Sequence, residues 1–137
     1  MFKLIKILGG RTNVPEIISL RAEEYTEYRA NCVYYLAEGI VNTTCYSGSD
    51  PIFIPIENIA ADDHKPYVRG YFVSEEMIFE TNMAGELGEV GVGSFVAPNI
   101  DESEITVGVT SDAGYFAVIV SMDEVLDDGK VLIRFKW

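Results

Sequence analysis

The stretch Val33-Tyr-Tyr-Leu-Ala-Glu-Gly-Ile-Val-Asn-Thr-Thr44 sets two runs of aromatic and β-branched residues on either side of Glu38-Gly39. Such side chains suit a pleated, half-buried surface, and a polar residue followed by glycine lets the chain reverse between them. The stretch therefore reads as two strands joined by a turn. Working outward, similar short runs recur every eight to fifteen residues, separated by Gly, Asn, Asp and Pro. That is the spacing of a sandwich or barrel. The candidate strands are 2–8, 17–20, 33–36, 40–44, 52–57, 67–73, 77–81, 90–96, 105–110, 115–121 and 131–136. Gly48 with Asp50-Pro51 breaks the chain before Ile52. Asp112-Ala-Gly114 and Asp127-Asp-Gly129 are the sharpest turn signals, and Asp128-Gly129 is suited to deliver the last strand in register.

The expected class is all-β: a compact β-barrel or sandwich with little helix. Residues 22–30 hold helix formers, but their apolar face is only Ala22, Tyr25 and Tyr28/Arg29, so a loop or β-arm serves equally. Ser74-Glu-Glu-Met could open a helical turn and is read as a strand connector. Four glycines fall between Gly85 and Gly93, a change of composition near the middle of the chain. The chain reads as a single β domain over 1–137, with a division into subdomains 1–82 and 88–137 as the alternative. No internal repeat is recognisable in the sequence.

At 137 residues, 48% hydrophobic and 23% charged, with eight Tyr and seven Phe, the chain can bury a sizeable core. Twenty-two acidic against ten basic side chains give a formal charge of −12. A surface of that sign repels phosphate backbones and anionic headgroups, so neither nucleic acid nor a membrane is an expected partner. No apolar run approaches a membrane span. Phe2 to Ile7 mixes Lys3 and Lys6 into an apolar stretch and reads as an opening strand, not a signal peptide core, so synthesis in the cytoplasm is expected.

Reactive chemistry is hard to assemble. His64 is the sole histidine and lies in Ala61-Asp-Asp-His-Lys-Pro66, a polar loop; no Gly-x-Ser-x-Gly elbow surrounds Ser47, Ser49, Ser94 or Ser111. Cys32 and Cys45 lack the companions of a zinc site and read as buried thiols, with a disulfide as the alternative in a secreted chain. Asp62-Asp63, Asp101-Glu102 and Asp127-Asp128 offer oxygen ligands for calcium, but none follows the spaced Asp-x-Asp-x-Asp-Gly loop. Gly88-Glu-Val-Gly-Val-Gly93 lacks the order, the lysine and the helix of a phosphate loop, and Glu86 and Glu89 would repel phosphate. The glycines there suit a turn or bulge. No enzyme activity, cofactor or metal is expected.

The order of segments carries a resemblance. Pro15-Glu-Ile-Ile, Tyr35-Leu-Ala-Glu-Gly39, Val73-Ser-Glu-Glu-Met-Ile-Phe-Glu80, Gly91-Val-Gly and Val131-Leu-Ile-Arg-Phe135 follow one another over roughly 14–136. The chain thereby resembles the small capsid decoration, or auxiliary head, proteins of tailed phages. The box from Val73 to Glu80 is the most specific part, matching Val-(Ser/Thr)-x-(Glu/Asp)-Met-x-Phe-Glu. The longer opening strand and the aromatic Val33-Tyr-Tyr depart from the pattern, which leaves the N-terminal role open.

The resemblance implies a catalysis-free virion structural protein that binds the lattice of the major capsid protein after expansion and stiffens it, often as a symmetric trimer. On that reading the opening strand, with Phe2, Leu4, Ile5 and Ile7, is a candidate partner-binding arm that adds to a neighbour's sheet. The alternative is a small β binding module, a carbohydrate or peptide adhesin, with Tyr34, Tyr35, Tyr46 or Tyr67 as its contact patch.

Overall fold

A computed structural model of the chain describes residues 2–9, 14–43, 50–83, 92–93, 95–100, 105–108, 116–121 and 130–136. Among them the protein is all-β. Eleven strands follow in order: β1 (Lys3–Ile7), β2 (Ile18–Ala22), β3 (Tyr34–Ala37), β4 (Ile40–Asn42), β5 (Ile52–Pro55), β6 (Tyr67–Phe72), β7 (Met77–Met83), β8 (Phe95–Ile100), β9 (Ile105–Gly108), β10 (Phe116–Ser121) and β11 (Lys130–Lys136). Each predicted strand has its counterpart. The strand predicted over 90–96 corresponds to β8 at Phe95–Ile100; Gly93 ahead of it takes φ +89°, and positions 90, 91 and 94 lie outside the described residues. The turn signals at 112–114 and 127–129 lie outside the described residues.

The strands divide into two compact units, Val14–Val73 and Met1–Asn13 with Ser74–Trp137. The boundaries therefore fall at 13/14 and 73/74 and not along the glycine-rich stretch near 82–88. A cut there would part β7 from β9 and β11, to which it is hydrogen-bonded.

In the first unit five strands close into a barrel in the order β2-β4-β3-β5-β6. Glu38 and Gly39 join β3 to β4 as a two-residue turn with φ of 53° and 79°, the paired left-handed geometry that matches strand twist. Val33, Val41, Ile52, Phe53, Ile54 and Val68 are almost wholly buried. Gly70 has no room for a side chain: a Cβ there would lie 2.3 Å from the Ile54 carbonyl oxygen and 2.7 Å from Phe53 Cζ. Residues 23–33 form no helix. They cross as a loop, with Tyr28 bridged to Ile59 by reciprocal backbone hydrogen bonds of 2.9 and 2.8 Å.

In the second unit the sheet order is β1-β7-β11-β10-β8-β9, and β9 also pairs in parallel with β7. That last pairing joins β7, β11, β10, β8 and β9 into a ring, with β1 added on the outside of β7. Phe2, Phe79 and Phe135, each fully buried, pack ring against ring at centroid separations of 5.3 to 6.2 Å. Each such contact adds about 0.5–1.5 kcal/mol to the burial of the rings themselves. The connector at 74–76 makes one turn, with the Met77 N–H donating to the Ser74 carbonyl.

The two rings have the same topology. In each, the first strand pairs in parallel with the third (β2 with β4, β7 with β9), and the other four pairings, third with second, second with fourth, fourth with fifth and fifth with first, are antiparallel. Register makes Ile18 equivalent to Phe79, Phe53 to Ala117, Val68 to Val131, Gly70 to Ile133 and Phe72 to Phe135. One ring topology thus occurs twice in the chain, although no repeat is recognisable in its sequence. Equivalent positions hold unlike residues: Phe53 and Gly70 in one ring stand where Ala117 and Ile133 stand in the other.

Candidate functional site

The stretch proposed as an arm is built into its unit. Phe2 is wholly buried, Leu4 and Ile7 are half-buried, and Ile5 is the exposed member, at a bulge where the β1–β7 register shifts. Phe2 cannot meet a partner without leaving the ring cluster. Lys3, Lys6 and the bulge mark β1 as a guarded sheet edge.

Of the tyrosines considered for a contact patch, Tyr34 and Tyr35 are core residues of the barrel, Tyr67 is exposed and Tyr46 lies outside the described residues. Cys32 is a buried free thiol whose pKa is pushed up by that burial, an environment that keeps it protonated and unreactive. Asp63 accepts the Ala60 N–H at 3.1 Å while its own N–H donates to the Ala60 carbonyl, so it serves the turn at 60–63. Among the described residues no three His, Cys, Asp or Glu side chains gather in a way that could hold a metal ion. The other acidic pairs lie outside those residues.

The most distinctive surface feature is a contact the sequence did not suggest. Tyr25 and His64, both exposed, meet edge to face with ring centroids 5.0 Å apart and planes at 84°. Both also hold left-handed backbone conformations, at φ 60° and 49°. For residues with a Cβ that conformation costs about 1–2 kcal/mol each, and it persists only where the surroundings impose it.

Around Tyr25 those surroundings are two buried phenols. The Tyr28 hydroxyl donates to the Val41 carbonyl at 2.6 Å and accepts the Glu23 N–H at 2.8 Å, while the Tyr34 hydroxyl accepts the Arg29 N–H at 2.8 Å. Residues 23–29 are thus pinned at both ends, with Tyr25 lifted between the pins. Burial pushes the Tyr28 phenol up and the Tyr34 phenol up to about 12, so both remain neutral donors and acceptors throughout the physiological range.

Beside this pair a shallow cleft of about 280 Å³ is lined by Arg21, Glu23, Glu24, Ile40, His64 and Lys65, among others. A second depression of about 500 Å³ shares Glu23 and Ile40 with it and reaches Glu38, Asn42 and Asp50. Their linings bring carboxylates, one guanidinium, one ammonium and an imidazole together with apolar residues such as Leu36 and Ile40. That set can hold a polar chain by hydrogen bonds and ring contact, and it contains no nucleophile paired with a base. Comparison of the chain with models of protein families, with curated proteins and with solved structures finds no match to any of them.

Proposed function

We propose that the chain is a virion structural protein of a tailed phage, which binds the assembled lattice of the major capsid protein and stabilises it without catalysis. The observation that carries this reading is the segment order, above all the box from Val73 to Glu80. The box crosses the division at 73/74 and runs into β7, the strand on which β1, β9 and β11 all pair. Ring-closed strands make stiff bodies, because few edges are left to fray, and stiffness is what a lattice clamp requires. A homo-oligomer, such as a trimer on a threefold lattice position, would engage several capsid subunits at once. The test is to mix purified protein with undecorated heads and image them. Regular density at symmetry-related lattice positions is the expected result, and bare heads at saturating protein would overturn the reading.

A second reading, a carbohydrate- or peptide-binding module, is favoured by the Tyr25–His64 pair and its cleft. It requires that glycans or extended peptides bind saturably and that Tyr25→Ala weakens them at least tenfold. Binding unaffected by Tyr25→Ala would remove this reading.

A further inference from the structure

The repeated topology exposes an asymmetry. In the second unit one edge of β7 is used twice: β9 pairs with Asn82 and Met83, and β1 pairs with residues 77–80. In the barrel the same edge of β2 is used once. There β4 pairs with Arg21 and Ala22, and the positions equivalent to 77–80, which are Glu16, Ile17, Ile18 and Ser19, carry no strand among the described residues.

The backbone there faces outward. The Ala22 N–H donates to the Pro66 carbonyl on the β6 side, so strand alternation sends the amides of Ile18 and Leu20 the same way and those of Ile17, Ser19 and Arg21 to the opposite edge. Arg21 meets β4 on that edge; Ile17 and Ser19 are exposed. Ile17 leaves an apolar side chain 42% exposed beside this edge, which is unoccupied among the described residues. Unpaired amides next to exposed apolar surface are what a sheet offers to an added strand.

We infer that the β2 edge at Ile17 and Ser19 receives an antiparallel strand from a partner protein, an apolar segment bearing lysines of the kind that β1 supplies to β7. The pattern of β1 specifies the occupant. Lys3 stands opposite Glu80 and Ile7 opposite Met77, and at the Met77 position the barrel has Glu16, which favours a cationic residue in the incoming strand. A segment with lysines also meets the acidic charge of the chain favourably. The site stands independently of the capsid reading.

The probe is a blocked synthetic peptide of residues 2–8 carrying Ile7→Lys, Phe-Lys-Leu-Ile-Lys-Lys-Leu, which sets a lysine opposite Glu16 in the β1 register, added to the full chain. Amide hydrogen exchange at Ile17 and Ser19 is expected to slow at least tenfold on saturation, and Ser19→Pro, which removes an edge amide without touching the β6 ladder, should abolish the effect. If Ser19→Pro fails to fold, the exchange measured on the unaltered chain decides alone. The inference is overturned if neither amide slows at millimolar peptide, if the peptide acts by displacing β1 from β7, or if the two amides become protected on raising protein concentration without peptide, which would give the edge to a second copy.

Discussion

The Phe53 ring occupies the space that a side chain at Gly70 would need, and the Ile54 carbonyl closes the same space from the backbone side. A methyl group at position 70 therefore meets a ring that can shift and an oxygen that cannot. Gly70→Ala should destabilise the protein by about 2 kcal/mol or more, as strain in a packed core does. Urea unfolding checks it. Adding Phe53→Leu should recover only part of the loss, because the contact with Ile54 remains.

Removing one oxygen from Tyr28 tests the pinned loop. Tyr28→Phe leaves the Val41 carbonyl and the Glu23 N–H without the partner they share. A loss of about 1–3 kcal/mol is expected by chemical denaturation. The nuclear Overhauser contacts between the Tyr25 and His64 rings should weaken in the same variant, and their persistence would show that the loop is held otherwise.

Phe2→Ala should cost about 3–5 kcal/mol, the usual consequence of emptying a buried aromatic position, since Phe2 touches both Phe79 and Phe135. Ile5→Ala, at the exposed bulge, should cost well under 1 kcal/mol. Thermal melting of the two variants separates a core strand from a detachable arm: equal, small effects would restore the arm.

Alkaline pH should unfold the protein by way of its buried phenols. Tyr34 and Tyr71 are pushed up to about 12 by burial, whereas in the unfolded chain they ionise near 10. The folded state thus holds more protons than the unfolded one between those values, and stability falls as pH rises from about 10 to 12, by about 1.4 kcal/mol per pH unit for each group. It is fully present below 10. Denaturation midpoints measured from pH 8 to 12 should decline over that window, and Tyr71→Phe should flatten the decline.

Much of the architecture was legible before any coordinates. Alternating rings and branched residues at Tyr34–Ala37, Ile52–Pro55 and Lys130–Lys136 mark strands because strands are local, and Glu38-Gly39 announces its turn because the geometry needs only two residues. Pairing is not local. Nothing in Ile18–Ala22 says that it will meet Ile40–Asn42 in parallel across an intervening strand. The repeated topology was illegible for a related reason: pairing register constrains backbone more than residue type, so Phe53 with Gly70 and Ala117 with Ile133 hold equivalent positions with unlike letters. The Tyr25–His64 contact had no signal either, because each residue takes a conformation that its own side chain disfavours, and the loop bearing Tyr25 is held by the Tyr28 and Tyr34 phenols.

The barrel of Val14–Val73 is continuous in sequence, whereas β1 belongs to the unit completed by the last strand of the chain. During synthesis the barrel can close as soon as it leaves the ribosome, while the segment from Phe2 to Ile7 waits for β7 and β11. At typical elongation rates of about 5–20 residues per second the wait is on the order of ten seconds. Through that interval an apolar strand with an unburied phenylalanine is open to pairing with other nascent chains, and Lys3 and Lys6 are placed to act as gatekeepers against it. Replacing both lysines with threonine, a good strand former, should leave the finished fold intact and lower the soluble yield.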